Sequence, residues 1–98
     1  MAKVKIRIPQ VQRKITNNQH IVDAVGETVA GAIDDLIRQF PELEKRIKNA
    51  EGQINKFLII SLEKKGKDAE DIRFLEKQLQ TELGDGDEIS IIPAAAGG

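Results

Sequence analysis

The sequence predicts an α+β domain in which a mixed sheet of four to five strands packs on one main helix and runs out into a flexible C-terminal tail. Three observations carry that prediction. The opening "AKVKIRI" alternates apolar and basic residues at the period of a strand. Residues 29 to 40 repeat apolar positions at the spacing of one helical face. The last apolar segment, "EISII", is followed by "PAAAGG". At 98 residues the chain has room for one domain and one modest core, which we place at residues 1–92, with residues 93–98 as the tail.

Each element follows from its residues. In the first strand Val4, Ile6 and Ile8 share one face, and Lys3, Lys5 and Arg7 the other. Pro9 removes a ladder donor, and "QVQRKITNNQ" reads as a polar connection. A second strand spans His20 to Val25 and pairs back as an antiparallel hairpin, with Gly26 ending it. Thr28 is placed to cap the helix, because its hydroxyl can accept an orphan backbone N–H. Val29, Ala32, Ile33, Leu36, Ile37 and Phe40 then form the inward stripe. Pro41 interrupts it, and a shorter continuation turns Leu43 and Ile47 inward until Gly52 stops it.

Residues 56–62, "KFLIISL", make the third strand. Leu58, Ile60 and Leu62 take one face, Phe57 and Ile59 the other, so both faces are apolar until Ser61. Only one face can cover the helix, which leaves the second for another layer, a loop or a partner. A charged turn with Gly66 leads to a short strand over Asp71 to Phe74, and Leu75, Leu79 and Leu83 mark a brief helical turn. "GDGDE" is a tight turn into the last strand, where Ile89 and Ile91 share one face and Ser90 and Ile92 the other. The helix connects the second and third strands, which leaves the last strand free to lie beside the first.

Composition narrows the chemistry. The formal charge is -1 and aromatics are 3%, which supplies neither a concentrated basic surface nor a stacking platform for nucleic acid. No uninterrupted apolar run approaches the roughly 20 residues that span a bilayer, and the N-terminal apolar positions alternate with Lys and Arg in place of a signal-peptide core. We therefore expect a cytoplasmic protein. There is no cysteine, and the one histidine, His20, has no visible partner, so disulfides, thiolate metal sites and a supported triad are absent from the reading. "GDGDE" lacks the later ligands and closing Glu of a calcium loop. Asp34 and Asp35, adjacent on a helix, point in different directions and read as a solvated face.

The element order and the chain's end together resemble the β-grasp sulfur-carrier proteins, the ubiquitin-like family that serves thiamine, molybdopterin and cysteine biosynthesis. The matching residues are "VKIRIP", "GETVAGAIDDLIRQFP", "EDIRFL" and "LGDGDEISIIPAAAGG", which together cover nearly the whole chain. The look is nearest to the bacterial carriers of the cysteine-synthesis type. A terminal Gly-Gly alone arises by chance in about half a percent of chains, taking glycine at roughly 7% per position. Its weight comes from the acidic turn and apolar strand before it. One departure is the turn from Lys64 to Ala69, longer than the family's crossing, which bears on the choice of downstream partner.

The resemblance implies a fold and a chemistry. An ATP-dependent activating enzyme joins the terminal carboxylate, here that of Gly98, to AMP, and sulfur displaces AMP to leave a thiocarboxylate that a downstream synthase accepts. The carrier is then a protein cosubstrate with no catalytic residue, bound cofactor or metal of its own. Glycine suits the position because, lacking Cβ, it passes a narrow site and leaves the carbonyl open to attack. Gly97 serves the same passage, Pro93 stiffens the exit, and Ala94, Ala95 and Ala96 form a thin uncharged tether. Phe57, Ile59 and Ile92 are the candidate patch where the activating enzyme docks. The same tail also suits a protein modifier joined to lysine, or the small subunit of a molybdopterin-synthase-like complex.

Overall fold

The computed structural model describes residues 1–94. The strands are β1 (Ala2–Arg7), β2 (Ile21–Gly26), β3 (Leu58–Glu63), β4 (Ala69–Asp71) and β5 (Glu88–Pro93); the helices are α1 (Val29–Gln39) and the one-turn α2 (Glu44–Ile47). The sheet order is β2-β1-β5-β3-β4. β1 and β2 form the expected antiparallel hairpin, with Lys3 opposite Val25 and Arg7 opposite Ile21. β5 enters between the two halves, parallel to β1 and antiparallel to β3. The last strand lies beside the first, as the connectivity of the helix requires.

One face of this sheet and α1 enclose the core. Val4, Ile6, Ile8, Val22, Ala24, Ile60, Leu62, Ile89 and Ile91 meet Val29, Ala32, Ile33 and Leu36, with Leu43 and Ile47 closing one side. The period of two in the strands and 3.6 in the helix places these residues together. Thr28 caps α1, its Oγ1 accepting from the Gly31 N–H at 3.1 Å. Ile37 and Phe40 pack at the rim, half-buried. Among the described residues no helix is long and apolar enough to cross a membrane.

The helical continuation ends at Ile47, where Lys48 turns extended, and not at Gly52, and the third strand begins at Leu58 and not at Lys56, because Asn55 holds residues 56 and 57 in a turn. Three further segments depart from expectation. The fourth strand ends where the sequence reading begins it: β4 is Ala69–Asp71, and Ile72–Phe74 form a 3-10 turn. Asp71 turns the chain, because its carboxylate accepts the Arg73 N–H at 2.9 Å and caps that turn. The brief helix around Leu75, Leu79 and Leu83 shrinks to a 3-10 turn at Gln78–Gln80, although all three leucines pack against the core. Their spacing reflects a shared burial, which an irregular segment achieves by hydrogen bonds from Leu83 N–H to Glu27 O and from Val29 N–H to Thr81 O. The polar connection after Pro9 buries Gln12 and Thr16, the latter donating to the carbonyls of Arg13 and Gln19.

Candidate functional site

The end of the sheet where β5 runs out is built from β3 outward. Asn55 launches that strand: its N–H donates to Ile47 O at 2.7 Å, its carbonyl accepts from Leu58 N–H at 2.9 Å, and its side-chain Oδ1 accepts from Phe57 N–H at 2.9 Å. The Phe57 carbonyl in turn accepts from the Ala94 N–H at 2.7 Å. Pro93, opposite Leu58, is the last residue of β5, and one backbone hydrogen bond follows it. Two of the six residues assigned to the tail are held by the sheet. Ala95, Ala96, Gly97 and Gly98 lie outside the described residues.

The candidate docking residues come together at this exit. Ile59 stands directly opposite Ile92 on the face away from α1, and Phe57 lies two residues back, in the turn that leads into β3. Phe57 is 58% exposed and Ile92 43%, while Ile59 is half-buried. The Lys56 ammonium lies 5.8 Å from the centre of the Phe57 ring. Farther along the same face the surface turns charged: Arg7 pairs with Glu88 at 2.6 Å, and Lys5 with Asp23 at 3.0 Å. At the β4 edge, hydrogen bonds from the Arg73 side chain hold the Asp71 carboxyl below its ordinary value. The open face is thus apolar around the tail's exit and carries the ion pairs of Arg7 with Glu88 and Lys5 with Asp23 farther along.

The other residues singled out in the sequence take structural places. His20 is exposed just before β2, and its carbonyl accepts from Ile8 N–H at 2.8 Å. "GDGDE" docks on the start of β1, with Asp85 accepting from Lys3 N–H and Gly86 N–H donating to Lys3 O. No group of three or more His, Cys, Asp or Glu able to hold a metal occurs among the described residues. Asp34 is exposed and pairs with Lys48, but Asp35 is no solvated carboxylate. It reaches across to the edge of β2 and accepts the Val25 N–H at 3.1 Å, steadied by Arg38 at 2.6 Å. The helix-only view of Asp34 and Asp35 missed the strand beside them.

Two further residues escaped the sequence reading. Asn55 had a signal, since an Asn just ahead of an extended segment favours a side-chain turn onto the backbone two residues on. Asp87 had only the Gly84 N–H, three residues before it. It is 3% exposed and accepts from Gly84 N–H, Lys64 Nζ and Lys65 N–H, so it fastens the long turn after β3 to the acidic turn before β5. That long turn lies at the end of β3 remote from the tail, because β3 pairs Leu58 with Pro93 and Glu63 with Glu88.

The architecture has close counterparts. The sulfur carrier protein CysO of Mycobacterium tuberculosis is 33% identical over 97 residues, spanning 97% of this chain and 98% of that protein. Among solved structures, a chain of the BexX/CysO complex of Amycolatopsis orientalis is 33% identical, with a TM-score of 0.80 over 97% of this chain and 99% of that one. The small archaeal modifier protein 1 of Methanosarcina acetivorans is 28% identical, with a TM-score of 0.82 over 100% of this chain and 98% of its own. The fold is the ubiquitin-like β-grasp that these proteins share. The ThiS family model matches residues 6–98, and on that match and the full-length likeness to CysO the chain belongs to the ThiS family.

Proposed function

We propose that this protein is a sulfur carrier whose Gly98 carboxylate is adenylated by an ATP-dependent partner and converted to a thiocarboxylate. The observation that carries the reading is the full-length likeness to the sulfur carrier CysO, together with the Gly97–Gly98 pair inside the stretch the ThiS family model matches. A carboxylate is a poor electrophile. Its oxygen attacks the α-phosphorus of ATP, pyrophosphate leaves, and a sulfur nucleophile then displaces AMP from the acyl carbon. The carrier contributes the tail and a surface to grip, and the partner contributes the acid–base and phosphate chemistry. The protein is accordingly a cosubstrate, with cysteine biosynthesis the first acceptor pathway and molybdopterin or thiamine next.

A second reading is favoured by one finding, the likeness to a small archaeal modifier protein. In it the same activated carbonyl is captured by a lysine amine to form an isopeptide bond. Intact-mass analysis of the protein isolated from its native cell separates the two. Replacement of one carboxylate oxygen by sulfur supports the carrier, and conjugates of higher mass linked through Gly98 support the modifier. If neither species is found, and deletion of Gly97 and Gly98 leaves the cell's sulfur metabolism unchanged, both readings fail.

A further inference from the structure

We propose that the segment from Asp68 to Glu82, at the edge of the sheet away from β2, is a second interaction surface, which takes a cationic stretch of a partner protein carrying one leucine-sized side chain. Its centre is a hollow of about 190 Å³ lined by Ile54, Ile60, Ile72, Arg73, Gln78 and Leu79. A second hollow of about 140 Å³ shares Ile54 and Leu79 and reaches Ala30 and Ile33 of α1. An apolar cavity of roughly 150 Å³ holds a benzene ring, so the first hollow has room for one leucine or phenyl side chain. This surface is on the helix side of β3, while Ile59 and Ile92 face the other way. A protein held here leaves the exit patch free.

The hollow is flanked by features that favour an interface. Phe74 is 82% exposed, far more than the buried Ile72 before it. Arg73 links Phe74 to the hollow, since it lines the hollow and its guanidinium lies 5.9 Å from the Phe74 ring centre. Hydrogen bonds of 3.2, 3.0 and 2.7 Å fix Arg73 on Asp71. An aromatic ring packed against a fixed guanidinium has less freedom to lose when a partner covers it, and aromatic and Arg side chains are the commonest anchors of interfaces. Gln78 turns the chain at the hollow with φ of +47°, a left-handed conformation that costs a glutamine free energy. Its carbonyl is held there by the Thr81 N–H at 3.0 Å and the Thr81 hydroxyl at 2.6 Å.

Charge decides the kind of partner. Asp68, Glu70, Asp71, Glu76 and Glu82 oppose only Arg73 and Lys77, so five carboxylates against two cations leave -3 on this segment, in a chain whose formal total is -1. Asp71 is taken by Arg73, and Lys77 lies 3.9 Å from Glu82. Asp68, Glu70 and Glu76 are exposed and enter no ion pair among the described residues. A lysine- or arginine-bearing segment is attracted to this edge, and an acidic one is turned away.

The test uses the full chain and a synthetic probe, the end-blocked peptide Lys-Lys-Leu-Lys-Lys, titrated by NMR at low salt. Amide shifts are expected to concentrate in residues 69–80, and replacing the probe's leucine by glycine to weaken binding at least about tenfold. Phe74→Ala is expected to weaken it about fivefold, and Glu70→Lys with Glu76→Lys at least about tenfold. Phe57→Ser, at the exit patch, should leave it within about twofold. Unchanged amide positions in β1 and α1 check that each variant keeps its fold. A probe that does not bind at millimolar concentration overturns the proposal, as do equal affinities for the leucine and glycine probes or shifts spread over every exposed carboxylate. So does a Phe74→Ala protein that binds like the wild type. No sulfur chemistry enters these readouts, so the surface and the function proposed above fail separately.

Discussion

Asp87 is nearly inaccessible to water, 3% exposed, and still carries its charge at neutral pH. Burial alone pushes its carboxyl up, but the donors on Gly84, Lys64 and Lys65 outweigh burial and hold it below its ordinary value of 3.8. Asp35 is lowered in the same way, by Arg38, Val25 N–H and Gln39 against its own burial. A carboxyl whose pKa is lower folded than unfolded stabilises the protein above the unfolded value, and that contribution is lost as the pH falls through the folded one. Urea unfolding is therefore expected to give constant stability near neutrality and a decline below about pH 4. Asp87→Asn is expected to cost about 1–3 kcal/mol at pH 7, and its deficit should shrink as the medium is acidified. A deficit independent of pH would show that packing, and not charge, is what Asp87 supplies. The distant partners could not be read along the chain, since Lys64 lies 23 residues from Asp87 and Val25 10 from Asp35. The Thr28 cap was legible for the opposite reason, its partner being three residues away.

At the scale of elements, α1 and β2 are fitted to each other by two devices. The first is Gly26, the last residue of β2. A Cβ added there would stand 2.4 Å from Ala32 N and 2.8 Å from the Gly31 carbonyl carbon, both backbone atoms of the helix. Gly26→Ala must push the helix off the sheet, and we expect it to lower stability by about 3 kcal/mol in denaturant unfolding. The second is the outer edge of β2. An edge strand presents unpaired N–H and C=O groups to any passing chain. Here Asp35 accepts the Val25 N–H and Gln39 donates to Asp23 O at 2.9 Å, so side chains of α1 occupy the positions a further strand would take. Replacing both Asp35 and Gln39 by Ala is expected to produce concentration-dependent association in sedimentation experiments. A double variant that stays monomeric at high concentration would show that the edge is protected by other means. Periodicity found both elements and their inward faces, because burial on one side is written directly into the spacing of Val4, Ile6 and Ile8 or Val29, Ile33 and Leu36. It misplaced the segment after β4, where Leu75, Leu79 and Leu83 reach the core from irregular backbone held by distant partners.

Across the whole molecule, fold and function are separable by design of the chain. The core lies between the sheet and α1, and the proposed reacting residue, Gly98, stands four residues past Ala94 in the sequence. Deleting Gly97 and Gly98 is expected to leave the unfolding midpoint within experimental scatter while abolishing adenylation, as measured by ATP–pyrophosphate exchange. A variant whose melting temperature falls as well would mean that the tail contributes to the packed structure. The fold class was legible at this scale because the helix between the second and third strands leaves few places for the last one. The patch at the exit was legible only in part: the second apolar face of β3 announced a surface, but its convergence with Ile92 depends on register, which pairs Ile59 and Ile92 across strands.

The position of β5 has a consequence for how the protein is made. The strand at the centre of the order β2-β1-β5-β3-β4 is the last of the five to be synthesised. A nascent chain holds two half-sheets with nothing between them, and its apolar interior closes only after residues 88–93 have left the ribosome. Any product cut short before that point lacks both the keystone of the sheet and the carboxylate behind it. A chain able to fold is thus one that has been translated through its central strand, and products cut short before it stay open to proteolysis.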